Sequence, residues 1–374
     1  MNPTSSKSPQ KNSDVAAPLR LKRQRVKIGQ RWIGDDEPVF VTFEGGATHT
    51  GFTSAKEMIR ASRDAGGDAV KFQTIFVDKI MSKKDVIFDY ETASGNKAES
   101  LAQILKRREM PYKDWEALKK EADAVGIPFF STPDSPETID FLAKIGVPCI
   151  KMAGGDMNNY PLIRYAASTK LPILLDTRGT LGELERAIES CLLQNNDQII
   201  IVHCPSGYPS ALKSIRLKLL QVYLNTFPFP VGFSDHNPGM DMDVAAIALG
   251  AHFIEKTIST NRATESVEHV MSLELNEMKD FVRRVRELET ALSHPYFHLP
   301  SAEEKAGMKK GRRSIVLKKD TAAGETLTAD LMNFKRPGYG IPPEMAETLV
   351  GWKLRRPVTA DMPLSWADLT DVHD

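Results

Sequence analysis

Residues 128–154 read PFFSTPDSPETIDFLAKIGVPCIKMAG. A short apolar run (128–133) is followed by a segment of helical spacing that opens at Ser135, and a second apolar run fills 149–154. Each run is almost continuously apolar, the pattern of a strand buried on both faces of a parallel sheet. The segment between them, 135–144, begins on a serine suited to cap a helix N-terminus. The same alternation extends in both directions. Upstream lie PVFVTFE (38–44) and DAVKFQT (68–74). Downstream lie PILLDT (172–177), IIIVHCP (199–205), PVGFSDH (230–236) and HFIEKTI (252–258). Amphipathic segments fall among them at 54–65, 112–125, 181–193 and 276–291. Eight strand–helix units predict an α/β protein built as a (β/α)8 TIM barrel, which needs roughly 250 residues. A doubly wound open sheet is the competitor, but it usually has fewer strands, and no G-x-G-x-x-G follows the first run here.

The stretch 76–110 is too long for a plain strand-to-helix loop and is rich in charge, which predicts a functional excursion on the active-site face. Residues 1–25 read as a disordered tail, 26–293 as the barrel and 294–311 as a linker. Residues 312–374 read as a small, mostly β second domain.

Composition narrows the class. The 374 residues carry 49 Lys+Arg against 49 Asp+Glu, so no basic excess points to nucleic acid. No uncharged apolar run is long enough to span a bilayer, and the first 20 residues lack the apolar segment of a signal peptide. Cys149, Cys191 and Cys204 are odd in number and have no metal-binding spacing. They fit a reduced, cytoplasmic compartment. With zero net charge, any charged site must be assembled locally.

In a barrel, chemistry gathers at the C-terminal ends of the strands. Those ends carry Glu44; Lys71 and Gln73; Thr132; Lys151 and Asp156; Asp176 and Arg178; Ser206 and Tyr208; Ser234 and His236; and Glu255. Lys71 and Lys151 interrupt apolar runs, which is costly without anionic partners. Either they form structural ion pairs with Asp68, Asp156 or Glu255, or they serve a phosphate, a carboxylate or an imine. Two such lysines on neighbouring strands favour a dianionic substrate. Ser234-Asp235-His236 is not a hydrolase triad, because successive strand residues face opposite ways. His236 alone is a candidate metal ligand or general base.

These strand ends sit in motifs that resemble the sialic acid (N-acetylneuraminate) synthase family, including its legionaminic and pseudaminic acid relatives. The motifs are VKIG, EPVFVTFEGGATHTG, DAVKFQT, FFSTP, IKMAGGDMNNYPLI, HCPSGYP, VGFSDH, ALGAHFIEK and FKRPGYGIPPEM, running from about Val26 to Leu369. The resemblance implies a TIM barrel followed by an antifreeze-like (SAF) domain. It implies a synthase that condenses phosphoenolpyruvate with the open aldehyde form of an N-acylated amino sugar, releasing phosphate, with a divalent metal (Mn or Mg) polarising the aldehyde. By the same resemblance, Lys71, Thr132, Lys151, Ser206 and Ser234 would bind phosphoenolpyruvate. Gln73, Asp156, Tyr208 and Arg178 would face the sugar, and Glu44 and Glu255, with the two lysines, would handle water and developing charge. His236 matches one of two histidine metal ligands. Arg336 matches an arginine that one subunit sends into its partner's barrel, which implies a domain-swapped homodimer.

The chain departs from the family pattern in places that bear on this chemistry. The second metal histidine is Thr257, the usual Ser-Thr-Gly after strand five is Asp176-Thr177-Arg178, and the usual Ser in K-I-x-S-G is Gly154. Three explanations stand. A substitute ligand, His269 first and His49 or Asp176 after it, restores the metal; or Arg178 meets an extra anionic group on a different acceptor; or condensation has been lost. A related 3-deoxy-keto acid synthase and a non-catalytic carbohydrate-binding paralogue are the rival functions.

Overall fold

A computed structural model describes residues 23–292 and 300–370. The chain divides into two compact units, Met1–Ser293 and His294–Asp374. The expected tail up to residue 22 lies outside the described residues. Residues 23–25 are held in place: Arg23 pairs with Asp35 at 2.7 Å, and the Gln24 N–H donates to the Pro228 carbonyl at 2.8 Å.

The first unit is the expected barrel. Its strands are β1 (Phe40–Glu44), β2 (Ala69–Thr74), β3 (Phe129–Pro133), β4 (Ile150–Met152), β5 (Ile173–Asp176), β6 (Ile199–His203), β7 (Val231–Asp235) and β8 (Phe253–Ser259). Each pairs in parallel with the next, and β8 closes on β1 with Phe253 opposite Phe40 and Thr257 opposite Glu44. Closure buries both faces of every strand, which is why the runs are apolar throughout instead of alternating. A helix follows each strand: α1 (Phe52–Asp64), α2 (Tyr112–Val125), α3 (Pro136–Lys144), α4 (Tyr160–Ser168), α5 (Leu181–Leu192), α6 (Leu219–Thr226), α7 (Asp241–Ala248) and α8 (Met278–Leu292). Ser135 does cap α3, accepting from the Thr138 N–H, and Thr180 opens α5 in a capping box with Glu183.

A hairpin that the sequence reading did not anticipate, Val26–Ile28 with Arg31–Ile33, closes the N-terminal end of the barrel. There Asp68 gathers Arg31, Arg286 at 2.8 Å and the Val41 N–H at 2.8 Å. This occupies Asp68 away from Lys71, so one proposed structural partner of that lysine is removed. The excursion 76–110 lies over the opposite end. It contains a second hairpin, Ile87–Thr92 with Gly95–Ser100, and a short helix, Leu101–Lys106.

The second unit has its own core, with Ile315, Leu327, Ile341, Leu354 and Leu364 buried together. Ser314–Leu317 pairs antiparallel with Met332–Lys335, and Lys353–Leu354 with Leu369–Thr370. The expected linker needs correction: of its described residues, Ala302–Gly311 form a helix. Ser301 and Glu304 start it with a reciprocal capping box, and the Lys309 carbonyl accepts from Gly338 within the same unit. Among the described residues no helix is long and apolar enough to cross a membrane.

Candidate active site

A cavity of about 430 Å³ opens at the C-terminal ends of the strands. Glu44, Lys71, Gln73, Thr132, Asp156, Arg178, Tyr208, His236 and Glu255 all line it, so strand-end reading assembled most of one site. Its floor is a buried charge network centred on Glu255. One Glu255 oxygen accepts from Ser234 at 2.9 Å and from Lys71 at 3.3 Å; the other accepts from Lys151 at 2.8 Å. Lys71 also donates to Glu44, and Lys151 pairs with Asp176 at 2.8 Å. The ion-pair reading of the lysines holds, with Glu255, Glu44 and Asp176 as the partners, and both lysines lie at or beneath the cavity floor.

Burial works against every charge in this network, and the partners decide the outcome. Burial would lower both lysines, but Glu255 and Glu44 hold Lys71 above its ordinary range, and Asp176 and Glu255 do the same for Lys151. Glu255 is held well below the carboxylate range by Lys151 and Lys71 despite its burial. Glu44 goes the other way: burial raises it beyond what Lys71 offsets, and Glu255 adds to the rise. Glu44 is thus the group of the floor best able to take up a proton. Its position is set by Gly46, whose N–H donates to it; a Cβ at 46 would meet Gln73 at 2.6 Å.

The remaining residues lie outside the cavity lining. Lys151 and Ser234 lie beneath the lining, behind Glu255. Ser206 is exposed and does not line the cavity, because the chain turns outward after Pro205; Cys204 faces in instead. Arg336 is exposed on the second unit, just after the strand Met332–Lys335.

His236 is buried, with its ring edge-on to Tyr208 at 5.1 Å between centroids. Burial, then the nearby Arg178, depress its pKa, so the ring is neutral. Its expected partner is elsewhere: His269 lines a second cavity beside His49, with Nδ1 bound to the Ser259 hydroxyl at 2.7 Å. The two histidines do not form one ligand pair, because the backbone turn at Glu268 (φ 72°) faces the Glu268 side chain to the His236 cavity and its neighbour to the other. His49 stands against Trp115 and Phe72, and Asp176 is taken by Lys151.

A divalent metal does not fit this donor set. Among the described residues no three His, Cys, Asp or Glu side chains come together as a metal site. His236 is the cavity's lone histidine, Thr257 stands opposite Glu44 on β8, and Glu255 is committed to lysines. A neutral hydroxyl is a weak substitute for imidazole.

Among the lining residues that the sequence reading does not single out, three bear on the chemistry or the enclosure of the site. Glu268 is buried with one oxygen unbonded among the described residues, and burial, offset in part by Arg108, raises it to about 7. It lies next to His269, and of the two adjacent side chains Glu268 lines this cavity while His269 lines the other. Arg108 comes from the excursion, where no local pattern marks it; burial lowers its pKa. Phe88, from the hairpin, meets Tyr208 at 6.0 Å between ring centroids and covers the mouth.

Comparison with known proteins agrees with this geometry. Residues 58–296 match the NeuB family and 312–370 the SAF domain. An uncharacterized protein of Methanocaldococcus jannaschii is 33% identical over 92% of this chain and 99% of its own length. The N,N'-diacetyllegionaminic acid synthase of Legionella pneumophila is 32% identical over 89% of this chain and 95% of its own. The crystal structure of an N-acetylneuraminic acid synthetase from Leptospira borgpetersenii, in complex with citrate, superposes with a TM-score of 0.68 at 28% identity, covering 76% of this chain and 95% of that one.

Proposed function

The chain belongs to the NeuB family and carries a C-terminal SAF domain, and on that premise we propose that it condenses phosphoenolpyruvate with the aldehyde of an N-acylated amino sugar. The observation that carries this reading is the pair of lysines under one cavity, Lys71 and Lys151, bridged by Glu255. Lys71 donates to Glu44 and to Glu255, and Lys151 donates to Glu255 while pairing in charge with Asp176, so each ammonium keeps N–H capacity to spare. Lys71 at the lining, with Thr132 at the wall and the Lys151 charge beneath Glu255, suits a small substrate that carries both a phosphate and a carboxylate.

In the reaction, C3 of phosphoenolpyruvate bonds to the aldehyde carbon. The carbonyl electron pair moves to the aldehyde oxygen, which takes a proton and becomes a hydroxyl. Water adds to C2, giving up that proton; the new C2 hydroxyl then passes its own proton to the phosphate as the C2–O bond breaks, leaving a 2-keto acid and hydrogen phosphate. Glu44, raised toward the neutral form, carries the proton between water and the new hydroxyl. Glu255 faces the positive charge that builds at C2, and the lysines oppose the negative charge of the departing phosphate. Gln73, Asp156 and Tyr208 orient the sugar, and Arg336 of a second subunit completes the site in a domain-swapped homodimer.

Incubation with phosphoenolpyruvate and a panel of N-acylated amino sugars, free and phosphorylated, together with non-acylated phosphorylated sugars, tests the proposal. Release of inorganic phosphate that depends on one acceptor is expected. Release with none of them would favour a carbohydrate-binding paralogue, and release with a non-acylated phosphorylated sugar would favour a 3-deoxy-keto acid synthase.

A further inference from the structure

Arg178 follows β5 and returns into the cavity across Gly154. A Cβ on residue 154 would lie 2.7, 2.6 and 2.5 Å from Cβ, Cγ and Cδ of Arg178, so a residue without a side chain is what makes room for this stem. The guanidinium carbon sits 5.1 Å from the centre of the Tyr208 ring, and the edge of that same ring system meets His236. Among the described residues Arg178 has no carboxylate within ion-pair distance, and its buried Nε has no hydrogen-bond partner. Asp176, two residues earlier, is paired with Lys151 instead.

A cation that lines the cavity has thus been built into the His236 corner, with no carboxylate among the described residues to neutralise it. A divalent ion placed there would face the guanidinium as a like charge and find one histidine. We propose that Arg178 is the resident cation of this site: its guanidinium holds the acceptor's carbonyl oxygen and stabilises the oxyanion formed when the carbon–carbon bond closes, so turnover needs no divalent metal. The geometry deepens the condensation reading and rests on it for the identity of the oxyanion. The guanidinium stays protonated throughout. The carbonyl π pair becomes an oxygen lone pair held by the guanidinium, and the proton that neutralises it comes from the water adding at C2 through Glu44. A fixed donor aimed at a developing oxyanion is commonly worth about 10²–10³ in rate.

Two measurements on the full-length protein separate this claim from the reading beneath it. The first is Mn²⁺ titration followed by electron paramagnetic resonance, which needs no substrate. The parent chain is expected to bind no stoichiometric Mn²⁺, and Arg178→Gly to bind it at least about tenfold tighter, because a neighbouring like charge is gone. One Mn²⁺ per parent chain, lost in His236→Ala, overturns the proposal whether or not any acceptor reacts. The second is phosphate release in excess EDTA. Undiminished turnover is expected, with a loss of about 10²-fold or more in Arg178→Met and in Gly154→Ser, and partial rescue of Arg178→Gly by added guanidinium. Turnover abolished by EDTA and restored by Mn²⁺ overturns it.

Discussion

At the scale of single residues, the site is governed by who shares a buried charge with whom. Glu255 is shared by two ammonium groups, so Glu255→Gln should cost about 3–5 kcal/mol in stability, read by chemical denaturation, as well as abolish turnover. Glu268 offers a pH test. Its folded pKa of about 7 exceeds the ordinary value of 4.5, so the unfolded chain releases this proton first as pH rises. The parent therefore loses stability between pH 4.5 and about 7, on the order of 3 kcal/mol from this group. Unfolding of Glu268→Gln compared with the parent across that window should show the variant gaining relative stability as pH rises; parallel curves would remove Glu268 from the account. Residues at strand ends were legible in the sequence because strand position alone brings them to one mouth. Glu268 and Arg108 were not, since loop backbone decides which of two adjacent side chains faces the cavity. The Gly154–Arg178 contact shows the same limit: both departures were visible, but only the fold shows that one makes room for the other.

At the scale of elements, the apolar runs predicted eight strands because parallel barrel strands are buried on both faces, and all eight formed within a residue or two of their runs. Three helices, α4, α6 and α7, went unassigned. In α7 the cause is specific: it faces β8 with Asp243, which pairs with the fully buried Lys256 at 3.1 Å, so the helix lacks a clean apolar stripe. The helix Ala302–Gly311 was hidden by its polarity, as no residue of it is buried. Its stability then leans on the cap, and Ser301→Ala should destabilise the second unit by about 1 kcal/mol in thermal unfolding. The excursion 76–110 matches its expected place over the cavity. If its hairpin helps to enclose the acceptor, Phe88→Ala should raise the acceptor's KM severalfold while the KM for phosphoenolpyruvate changes little, as steady-state kinetics with each substrate varied would show.

At the scale of the whole molecule, a chain of zero net charge contains a barrel with a concentrated buried charge network at one end and an Asp68-centred cluster at the other. If Arg336 completes a neighbour's barrel, a mixture of Arg336→Ala and Lys71→Ala chains, each inactive alone, should recover activity after subunit exchange, up to about a quarter of the parent sites for random pairing. Activity absent from the mixture despite proven exchange would place Arg336 outside the partner's site. The central claim, that this barrel joins carbon to carbon, is tested most directly by mass spectrometry of the product formed from uniformly ¹³C-labelled phosphoenolpyruvate and the accepted amino sugar. The account predicts a 2-keto acid that carries all three labelled carbons and has the mass of both substrates plus water less phosphoric acid. Labelled pyruvate with the amino sugar unchanged would contradict it.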